Sequence, residues 1–491
     1  TIWMYQLGDA DKETARGLPE HAMLTNGGIH AREWQSPEVA TGIIELLALN
    51  PDDDPLIDYL RENANMMVIP VMNIDGLIQT QRYPTTNWMG TDPGNPEGSP
   101  RDGRMRRKNM LGADESLGTL GDHLMGVDLN RNSPPYWASN PQRSSGDPES
   151  IVHHGAAPQS EPEIQILDTA AQLGPAEKLS MYTDMHSYTQ VFYWSRNGNN
   201  RLATLTYWLT ADFSNHHRAF DAGKVYGYPR VSDIPVGVGI GLTNEYFTEV
   251  YQALSVGLEI EPSRGASTDY GGLGRNGHDG FILPESEVER VRTELAKSFA
   301  IAYYEQAGRP SITTLRLTDE ATQAVVFEAE WDTSSATERM LHTYQAQALQ
   351  LDRDYRAWIA WDKPMRYRED GEVAALPGQP QYKLDVDRFL TIGEEPLDST
   401  IGDFTWLNAP GGTPSGYQRY RDDAIDFPFR IQASEANNAL INGSALATLA
   451  IDAYDMTGSR GDANPATVAR WENGGWSGHE DSDGIDLTDF G

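Results

Sequence analysis

Cysteine is absent from this chain of 491 residues, and lysine supplies only seven of its 38 basic residues. Without cysteine there can be no disulfide bond or thiolate metal site, so any metal ion must be bound by histidine, aspartate or glutamate. Long hydrophobic runs are also missing, since none approaches the ~20 residues that span a bilayer, and no signal peptide is visible.

Positively charged residues are scarce as well: 38 basic residues against 72 acidic ones leave a net charge of −34. This acidity argues against nucleic acid or an anionic membrane as a main partner. Abundant acid with little lysine favours a protein kept soluble at high salt, as in a marine or halophilic microbe. An acidic secreted protein from an ordinary source is the alternative.

The pattern of apolar and polar residues changes at Pro310. Before it, apolar strands alternate with amphipathic helices, which predicts an α/β domain over residues 1–308 with a mixed sheet and helices on both faces. Strands are expected at 66–72, 179–185 and 254–260, and helices at 37–49, 161–173, 202–220 and 285–307. After it, short alternating runs between Gly, Pro, Asp and Asn turns predict an all-β, sandwich-like domain over residues 311–491. Its clearest strands are expected at 324–331, 355–361 and 445–453.

A histidine and a glutamate lie three residues apart in the segment Gly27–Trp34. The segment follows an apolar run that ends near Leu24 and precedes a helix for which Ser36 is the expected N-cap. His30 and Glu33 are close enough to chelate one metal ion, and a catalytic zinc ion then needs a third protein ligand and an open position for water. Chance alone produces such a pair in a chain with 11 histidines, so its place on a strand-to-helix connection is what favours a site.

Other strand ends supply candidates for the third ligand and for a substrate clamp. His186 ends the apolar run that begins at Leu179, although a lone histidine there is more often a core residue. Asn130 and Arg131 follow another apolar run, and the planar guanidinium of arginine binds a carboxylate through two parallel hydrogen bonds. A structural pair between Arg131 and Asp128 is the alternative.

A carboxylate inside the apolar run Leu254–Ile260 is the candidate general base. Glu259 needs a reason to be there, because glutamate is rarely buried without a partner. Beside an activated water it would serve first as general base and then as general acid to the leaving amine. Glu261 is the reserve candidate, with a structural role as the alternative.

In this order and spacing, the motifs resemble the zinc metallocarboxypeptidase family of the pancreatic carboxypeptidase A/B type, peptidase family M14. The resemblance covers roughly residues 1–307, and it implies a mixed sheet of the eight-stranded type. Six blocks carry it: Gly28–Trp34, Val68–Asn73 with Asp75-Gly76, Arg107-Lys108, Gly126–Asn132, His186–Tyr188 and Gly280–Pro284.

The resemblance implies a secreted or periplasmic hydrolase with one zinc ion that removes the last residue of peptides or proteins. The roles it implies are zinc ligands for His30, Glu33 and His186, general base for Glu259, carboxylate clamp for Asn130 and Arg131, cleft lining for Tyr188 and a remoter subsite for Arg32. The alternatives are a catalytically impaired, carboxypeptidase-like binding protein and a related zinc amidase or deacylase.

Some family positions are not matched. The oxyanion arginine, counted from Arg107-Lys108, falls on Met110, and the mobile tyrosine falls on Gly237. The expected substitutes are Arg104 or Arg106 for the arginine and Tyr228 or Tyr246 for the tyrosine. The floor of the specificity pocket falls on Asn244, near Glu245 and Glu249, which would favour a basic terminal residue. Only 29 residues precede His30, so an upstream segment is expected to be missing.

The C-terminal domain carries no decisive motif. Asp481–Asp489 resembles the start of a calcium loop, but it lacks the closing glutamate, so a solvated acidic tail is the favoured interpretation and calcium is unsupported. The domain is expected to help folding or packing, or to bind substrate, another protein or cell-surface material.

Overall fold

The computed structural model describes most of the first 307 residues and shorter pieces of the rest. The described ranges are 1–9, 11–15, 19–82, 103–114, 122, 124–174, 179–194, 240–263, 280–307, 312–331, 341–343, 350–361, 365–367, 382–385, 390–392, 395–396, 399–401, 405–406, 419–421, 424–434, 448–455, 469–472 and 475–477. The chain divides into two compact units: one comprises 1–12, 19–53 and 60–307, and the other comprises 308–491 with the segments 13–18 and 54–59.

A mixed sheet forms the centre of the first unit. Its strands are β1 (Tyr5–Leu7), β2 (His21–Asn26), β3 (Ala64–Ile69), β4 (Leu179–Thr189), β5 (Val191–Trp194) and β6 (Leu254–Ser263). They lie in the order β1-β3-β2-β4-β6-β5, with the inner four parallel and the two edge strands antiparallel to their neighbours. The predicted mixed α/β sheet is confirmed. The expected eight strands are wrong, because that number came from the resemblance, whereas six segments of the described chain pair in this sheet.

Six α-helices have defined bounds in the described ranges up to residue 307. They are α1 (Gln35–Leu49), α2 (Pro55–Asn63), α3 (Ile74–Arg82), α4 (Pro162–Ala171), α5 (Thr243–Val250) and α6 (Glu285–Gln306). The helices expected at 37–49, 161–173 and 285–307 are confirmed to within two residues as α1, α4 and α6, whereas the one expected at 202–220 lies outside the described residues. No helix in the described part of the chain is long and apolar enough to cross a bilayer.

Ser36 is not the N-cap that the sequence predicts. Helix α1 begins at Gln35, and its N-cap position is Trp34. The hydroxyl of Ser36 instead donates to the carbonyl oxygen of Glu33 at 2.9 Å and accepts the amide of Gly28 at 3.0 Å. This serine therefore ties together the two ends of the loop that carries His30 and Glu33.

The core explains why the inner strands are apolar along their whole length. Every residue of β2 and β3 is buried, as expected for parallel strands that are covered on both faces. Apolar residues of α4 and α5, including Leu167 and Phe247, pack with strand residues such as Leu24 and Tyr182 in one cluster. Because the inner strands are parallel, their carboxyl ends meet at one edge of the sheet, and this edge carries the candidate site.

Every helix or strand that the structure describes beyond Gln306 is a strand. The bounds are β7 Ile312–Asp319, β8 Val325–Trp331, β9 Leu341–Thr343, β10 Asp354–Trp361, β11 Met365–Tyr367, β12 Tyr382–Asp385, β13 Leu390–Ile392, β14 Glu395–Pro396, β15 Ser399–Ile401, β16 Thr405–Trp406, β17 Arg419–Arg421, β18 Ala424–Ile431, β19 Thr448–Asp455, β20 Ala469–Glu472 and β21 Gly475–Ser477. All pairings among them are antiparallel, and one sheet runs β15-β18-β10-β7-β8-β9 with β16 also on β18. The segment Asp481–Asp489 lies outside the described residues.

Candidate metal centre and active site

The loop between β2 and α1 holds His30 and Glu33 in a tight turn. The amide of Glu33 donates to the carbonyl oxygen of His30 at 3.2 Å, which turns both side chains to one side. Gly28 starts the loop with φ of 63°, and a Cβ there would lie 3.2 Å from the Cα of Val71, so glycine suits this position on both counts. Both His30 and Glu33 are only 2% exposed.

Strand β4 brings His186 to the same point. Its Nδ1 lies 3.1 Å from Oε2 of Glu33 and 3.1 Å from Nδ1 of His30, and Nδ1 of His30 lies 2.9 Å from Oε1 of Glu33. One possible ligand atom from each of the three residues lies within 4.8 Å of the others. The structure thus brings together the three metal ligands expected from the sequence.

The hydrogen bonds on the far side of each imidazole test whether this group fits a metal ion. Nε2 of His30 lies 3.0 Å from Oδ1 of Asp128, and Nε2 of His186 lies 2.8 Å from Oδ2 of Asp184. A carboxylate can only accept, so each Nε2 donates to its carboxylate, and in the neutral imidazole with this tautomer Nδ1 is the atom that can bind a cation. Two such Nδ1 atoms and the carboxylate of Glu33 can bind one cation together, and an N/O ligand set whose imidazoles donate to carboxylates is the arrangement typical of zinc.

Asp184 is itself fixed by its neighbours. Its Oδ1 accepts a hydrogen bond from Nδ2 of Asn26 at 2.7 Å, and its Oδ2 also accepts one from the hydroxyl of Thr243 at 2.8 Å. Burial alone would lower the pKa of His186, but Asp184 and Glu33 outweigh it and raise that pKa well above the usual value. The pocket therefore favours positive charge between these carboxylates.

Asp128 links His30 to two arginines. Nε of Arg107 donates to its Oδ2 at 3.0 Å, and Nη1 of Arg131 lies 4.0 Å from the same oxygen. Burial alone would raise the pKa of Asp128, but Arg107, Arg131 and His30 lower it well below the usual range. Nη1 of Arg107 also approaches Oε1 of Glu33 at 3.7 Å, so its guanidinium faces the metal ligands.

Glu259 lies on β6 directly opposite His186 in the parallel register. Its Oε2 is buried and has no hydrogen-bond partner among the described residues. Burial raises the pKa of Glu259 to about 8, and Glu33 acts in the same direction, against His186 and Arg107. An orphaned carboxylate oxygen beside the ligand cluster is what a proton acceptor there requires.

Asn130 and Arg131 form a short 3₁₀ helix that Asp128 caps by accepting the amide of Asn130. The amide oxygen of Asn130 accepts the backbone amide of Thr243 at 3.0 Å, and its Nδ2 lies 3.0 Å from Nε2 of His186. Nε of Arg131 donates to the carbonyl oxygen of Arg143 at 2.8 Å. Asn130 therefore lies against His186, and Arg131 follows it with Nη1 4.0 Å from Asp128, the partner of His30.

Tyr188 and Arg32 lie against the loop at Gly280 and Phe281. The ring of Tyr188 meets that of Phe281 edge-on at 5.0 Å, and the guanidinium of Arg32 lies 4.2 Å from the centre of the same ring. A Cβ on Gly280, whose φ is 96°, would lie 2.4 Å from the tyrosine ring, which excludes larger residues there. Two residues of the expected cleft thus share one aromatic contact.

A comparison with family models matches residues 1–298 to the zinc carboxypeptidase model. The chain belongs to the zinc carboxypeptidase family. Carboxypeptidase O of Bos taurus is 27% identical over 289 residues, which make up 56% of this chain and 63% of that protein. Mast cell carboxypeptidase A of Homo sapiens is 26% identical over 295 residues, or 57% of this chain and 58% of that protein. The chain thus spans about three fifths of the length of these curated relatives.

A comparison with solved structures also finds similar chains. The crystal structure of thrombin activatable fibrinolysis inhibitor aligns with a TM-score of 0.46 and 20% identity, covering 62% of this chain and 65% of that one. The carboxypeptidase A of Helicoverpa armigera aligns with a TM-score of 0.43 and 18% identity, covering 61% of this chain and 67% of that one.

Arg107 is a further candidate for the role that the count from the sequence gave to the position of Met110. Its Nη1 lies 3.7 Å from Oε1 of Glu33, and its carbonyl oxygen accepts the amide of Ala31 at 3.2 Å. The two suggested substitutes are engaged elsewhere. Arg104 donates to the carbonyl oxygens of Arg32 and Phe281, and Arg106 to those of Asp122, Asn109 and Met125.

Tyr246 is not at the centre of this zinc carboxypeptidase site, because its hydroxyl donates to Asp168 at 2.7 Å. Tyr228 and Gly237 lie outside the described residues. Glu261 forms a 2.9 Å ion pair with Arg290, which favours the structural alternative for this reserve base.

The two glutamates considered for specificity have local partners. The carboxylate of Glu245 accepts the amides of Ile240, Gly241 and Leu242, and that of Glu249 accepts the hydroxyl of Tyr136 at 2.9 Å. The prediction of a basic terminal residue loses this support.

Sequence reasoning missed Asp184 and Arg107. Strand alternation could have indicated Asp184, because residues two apart on a strand share a face and Asp184 precedes His186 by two.

Proposed function

We propose that this chain is a zinc-dependent carboxypeptidase that hydrolyses the C-terminal peptide bond of peptides or proteins. The observation that carries the proposal is the convergence of His30, Glu33 and His186 beside the orphaned Oε2 of Glu259. Membership of the zinc carboxypeptidase family supplies the reaction class.

The three ligand residues would hold one zinc ion, which lowers the pKa of water toward neutrality and acts as a Lewis acid. Glu259 would accept the proton of the attacking water at Oε2, the buried oxygen that has no hydrogen-bond partner among the described residues. It would then return this proton to the nitrogen of the leaving amine. Burial raises the pKa of Glu259, which makes its carboxylate a stronger proton acceptor than an exposed glutamate.

Two arginines would bind the negative charges of the substrate. Arg107 would face the oxyanion that develops on the scissile carbonyl, since its guanidinium already lies against Glu33 and Asp128. Arg131 would grip the terminal carboxylate with Asn130, which would restrict cleavage to the last bond. Tyr188 would line the cleft, and Arg32 would act at a remoter subsite beside Phe281.

A catalytically impaired binding protein is the weaker alternative. It was suggested by Met110 and Gly237 at two unmatched family positions, and the guanidinium of Arg107 near Glu33 offers a cation in place of the first. A zinc amidase or deacylase would use the same metal centre on a non-peptide amide. Retention of Asn130 and Arg131 beside the ligands favours a substrate with a free carboxylate.

The remaining proposals concern the rest of the protein. We propose that residues 1–308 form the catalytic domain and that 311–491 form an accessory β-rich domain, supported by antiparallel pairing throughout its described strands. A secreted or periplasmic location and a salt-adapted microbial source stay predictions from the resemblance and from the net charge.

The test is a panel of N-blocked dipeptides with different C-terminal residues, assayed for release of the last residue with and without a chelator. We expect chelator-sensitive release from free-carboxylate substrates and little from their C-terminal amides. Glu259→Gln should lower kcat by about 10²–10⁴-fold while the bound zinc, measured by atomic absorption, is unchanged. Loss of zinc from this variant would contradict the assignment, and absence of release from every dipeptide would refute carboxypeptidase activity.

A further inference from the structure

Three carboxylates lie together at the loop between β1 and β2, apart from the metal ligands on the β2–α1 loop. Asp9 and Asp11 follow β1, and Glu20 immediately precedes β2. One carboxylate oxygen from each lies within 4.8 Å of the others. We infer that Asp9, Asp11 and Glu20 form a binding site for a calcium ion, separate from the catalytic metal centre.

The buried member of this cluster indicates a ligand. Glu20 is 1% exposed, and its Oε1 is buried with no hydrogen-bond partner in the described part of the chain. A buried carboxylate oxygen without a donor is costly, because it has lost its hydration and gained nothing in return. A cation coordinated between Glu20 and the two exposed aspartates would supply the missing interaction.

The surroundings of Glu20 leave its charge poorly compensated. Its backbone amide donates to the carbonyl oxygen of Lys12 at 3.0 Å, but the ammonium of Lys12 donates to the carbonyl oxygen of Leu173. Burial, then the charges of Asp9 and Asp11, raise the pKa of Glu20 to about 7, and a hydrogen bond from Asn65 opposes them only in part. The neighbouring aspartates therefore disfavour the charged form of Glu20, and the ammonium of Lys12 bonds to Leu173.

The chemistry of the three ligand side chains indicates which cation would bind. All three side chains offer hard oxygen atoms, which suit calcium or magnesium, whereas zinc favours sites that contain nitrogen or sulfur. Two of the three ligands are exposed, which leaves room for the waters that complete the six to eight oxygens around calcium. Magnesium demands a nearly ideal octahedron at shorter distances, so we expect calcium to be preferred.

The experiment is a thermal unfolding titration of the zinc-loaded full chain with CaCl₂. For a site with two exposed ligands we expect a dissociation constant of about 10⁻⁴–10⁻³ M, and a Tm rise of about 2–4 °C at 10 mM calcium. Because the net charge of −34 makes any divalent salt stabilising, MgCl₂ at the same concentration is the control for screening.

Substitutions of the proposed ligands test whether the rise in Tm with calcium comes from this site. Asp11→Asn removes an exposed ligand without disturbing the core, and Glu20→Gln removes the buried charge; each should cut the calcium-specific Tm rise to less than half. Glu38→Gln is the matched control, because it removes one exposed carboxylate from α1 and should keep the full response. Glu20→Gln without calcium should be at least as stable as the parent protein, since it relieves repulsion from the aspartates, whereas a purely structural role for the carboxylate predicts a lower Tm.

Equal calcium and magnesium responses in the parent protein would overturn the proposal, as would a calcium response that Asp11→Asn leaves unchanged. Asp11→Asn carries the test if Glu20→Gln does not fold. The readout is calcium-dependent stability, so the result is independent of whether the chain hydrolyses peptides.

Discussion

Replacing Asp184 by asparagine should weaken zinc binding without removing any ligand. The substitution keeps the shape of the side chain but replaces one acceptor oxygen by an NH₂ group. Asp184 now accepts hydrogen bonds from Asn26 at 2.7 Å, His186 at 2.8 Å and Thr243 at 2.8 Å. An asparagine that keeps its oxygen toward Asn26 must turn its NH₂ toward the protonated Nε2 of His186, so two donors would face each other.

The size of the effect follows from what His186 loses. A buried, charge-assisted hydrogen bond contributes about 1.5–3 kcal/mol, and it sets both the direction and the basicity of the Nδ1 lone pair. Loss of such an outer partner typically raises the dissociation constant of the metal 10–100-fold, which is about 1.4–2.7 kcal/mol. We expect Asp184→Asn to fall in this range.

The assay is competition for zinc against a chromophoric chelator at fixed pH and ionic strength. Asp168→Asn is the matched control, because Asp168 accepts the hydroxyls of Tyr246 and Tyr251 at 2.7 and 2.6 Å and an amide oxygen can still do so. The control should keep zinc affinity within about twofold of the parent protein. An unchanged dissociation constant for Asp184→Asn, or an equal loss in Asp168→Asn, would refute the reasoning.

Two further predictions concern catalysis and stability. Arg107→Lys keeps the charge but not the planar guanidinium that contacts Asp128 at 3.0 Å; it should lower kcat by about 10²–10³-fold in steady-state hydrolysis. Met110→Ala should stay within about twofold of the parent protein, and a loss in Met110→Ala alone would restore the position counted from the sequence. Tyr303→Phe removes a hydroxyl that lies 2.6 Å from the buried hydroxyl of Thr25. It should lower the free energy of unfolding by about 1–3 kcal/mol in a denaturant titration, and an unchanged midpoint would contradict this.

The parts of the site that could be predicted are those that a short stretch of sequence reveals by itself. His30 and Glu33 lie on one turn, and His186 and Glu259 lie on apolar runs that become β4 and β6. Parallel strands then bring His186 and Glu259 to the same register without any further information from the sequence. The same local rules predicted α6 from its apolar pattern and its flanking proline.

Missing from the sequence analysis were the partners that act across the fold. One of them is Thr243, whose hydroxyl donates to Asp184 although the two residues are 59 positions apart in the chain. No pattern of apolar residues in the sequence links positions that far apart. The count of strands failed for a related reason, because it rested on resemblance and not on apolar runs that could be paired.

Arg107 shows why counting along a motif is weaker than geometry. The count starts from Arg107-Lys108 and assumes that the arginine for the oxyanion follows three residues after Arg107. That position is occupied by Met110. The path of the backbone is instead set by a contact that the sequence does not display: the carbonyl oxygen of Arg107 accepts the amide of Ala31, next to His30. The guanidinium lies 3.7 Å from Glu33 and 3.0 Å from Asp128. Burial alone would raise the pKa of Asp128, but Arg107 and its neighbours lower it well below its usual range. The two carboxylates on either side of this half-buried guanidinium, Glu33 and Asp128, therefore favour a cation at this point, whichever position a sequence count selects.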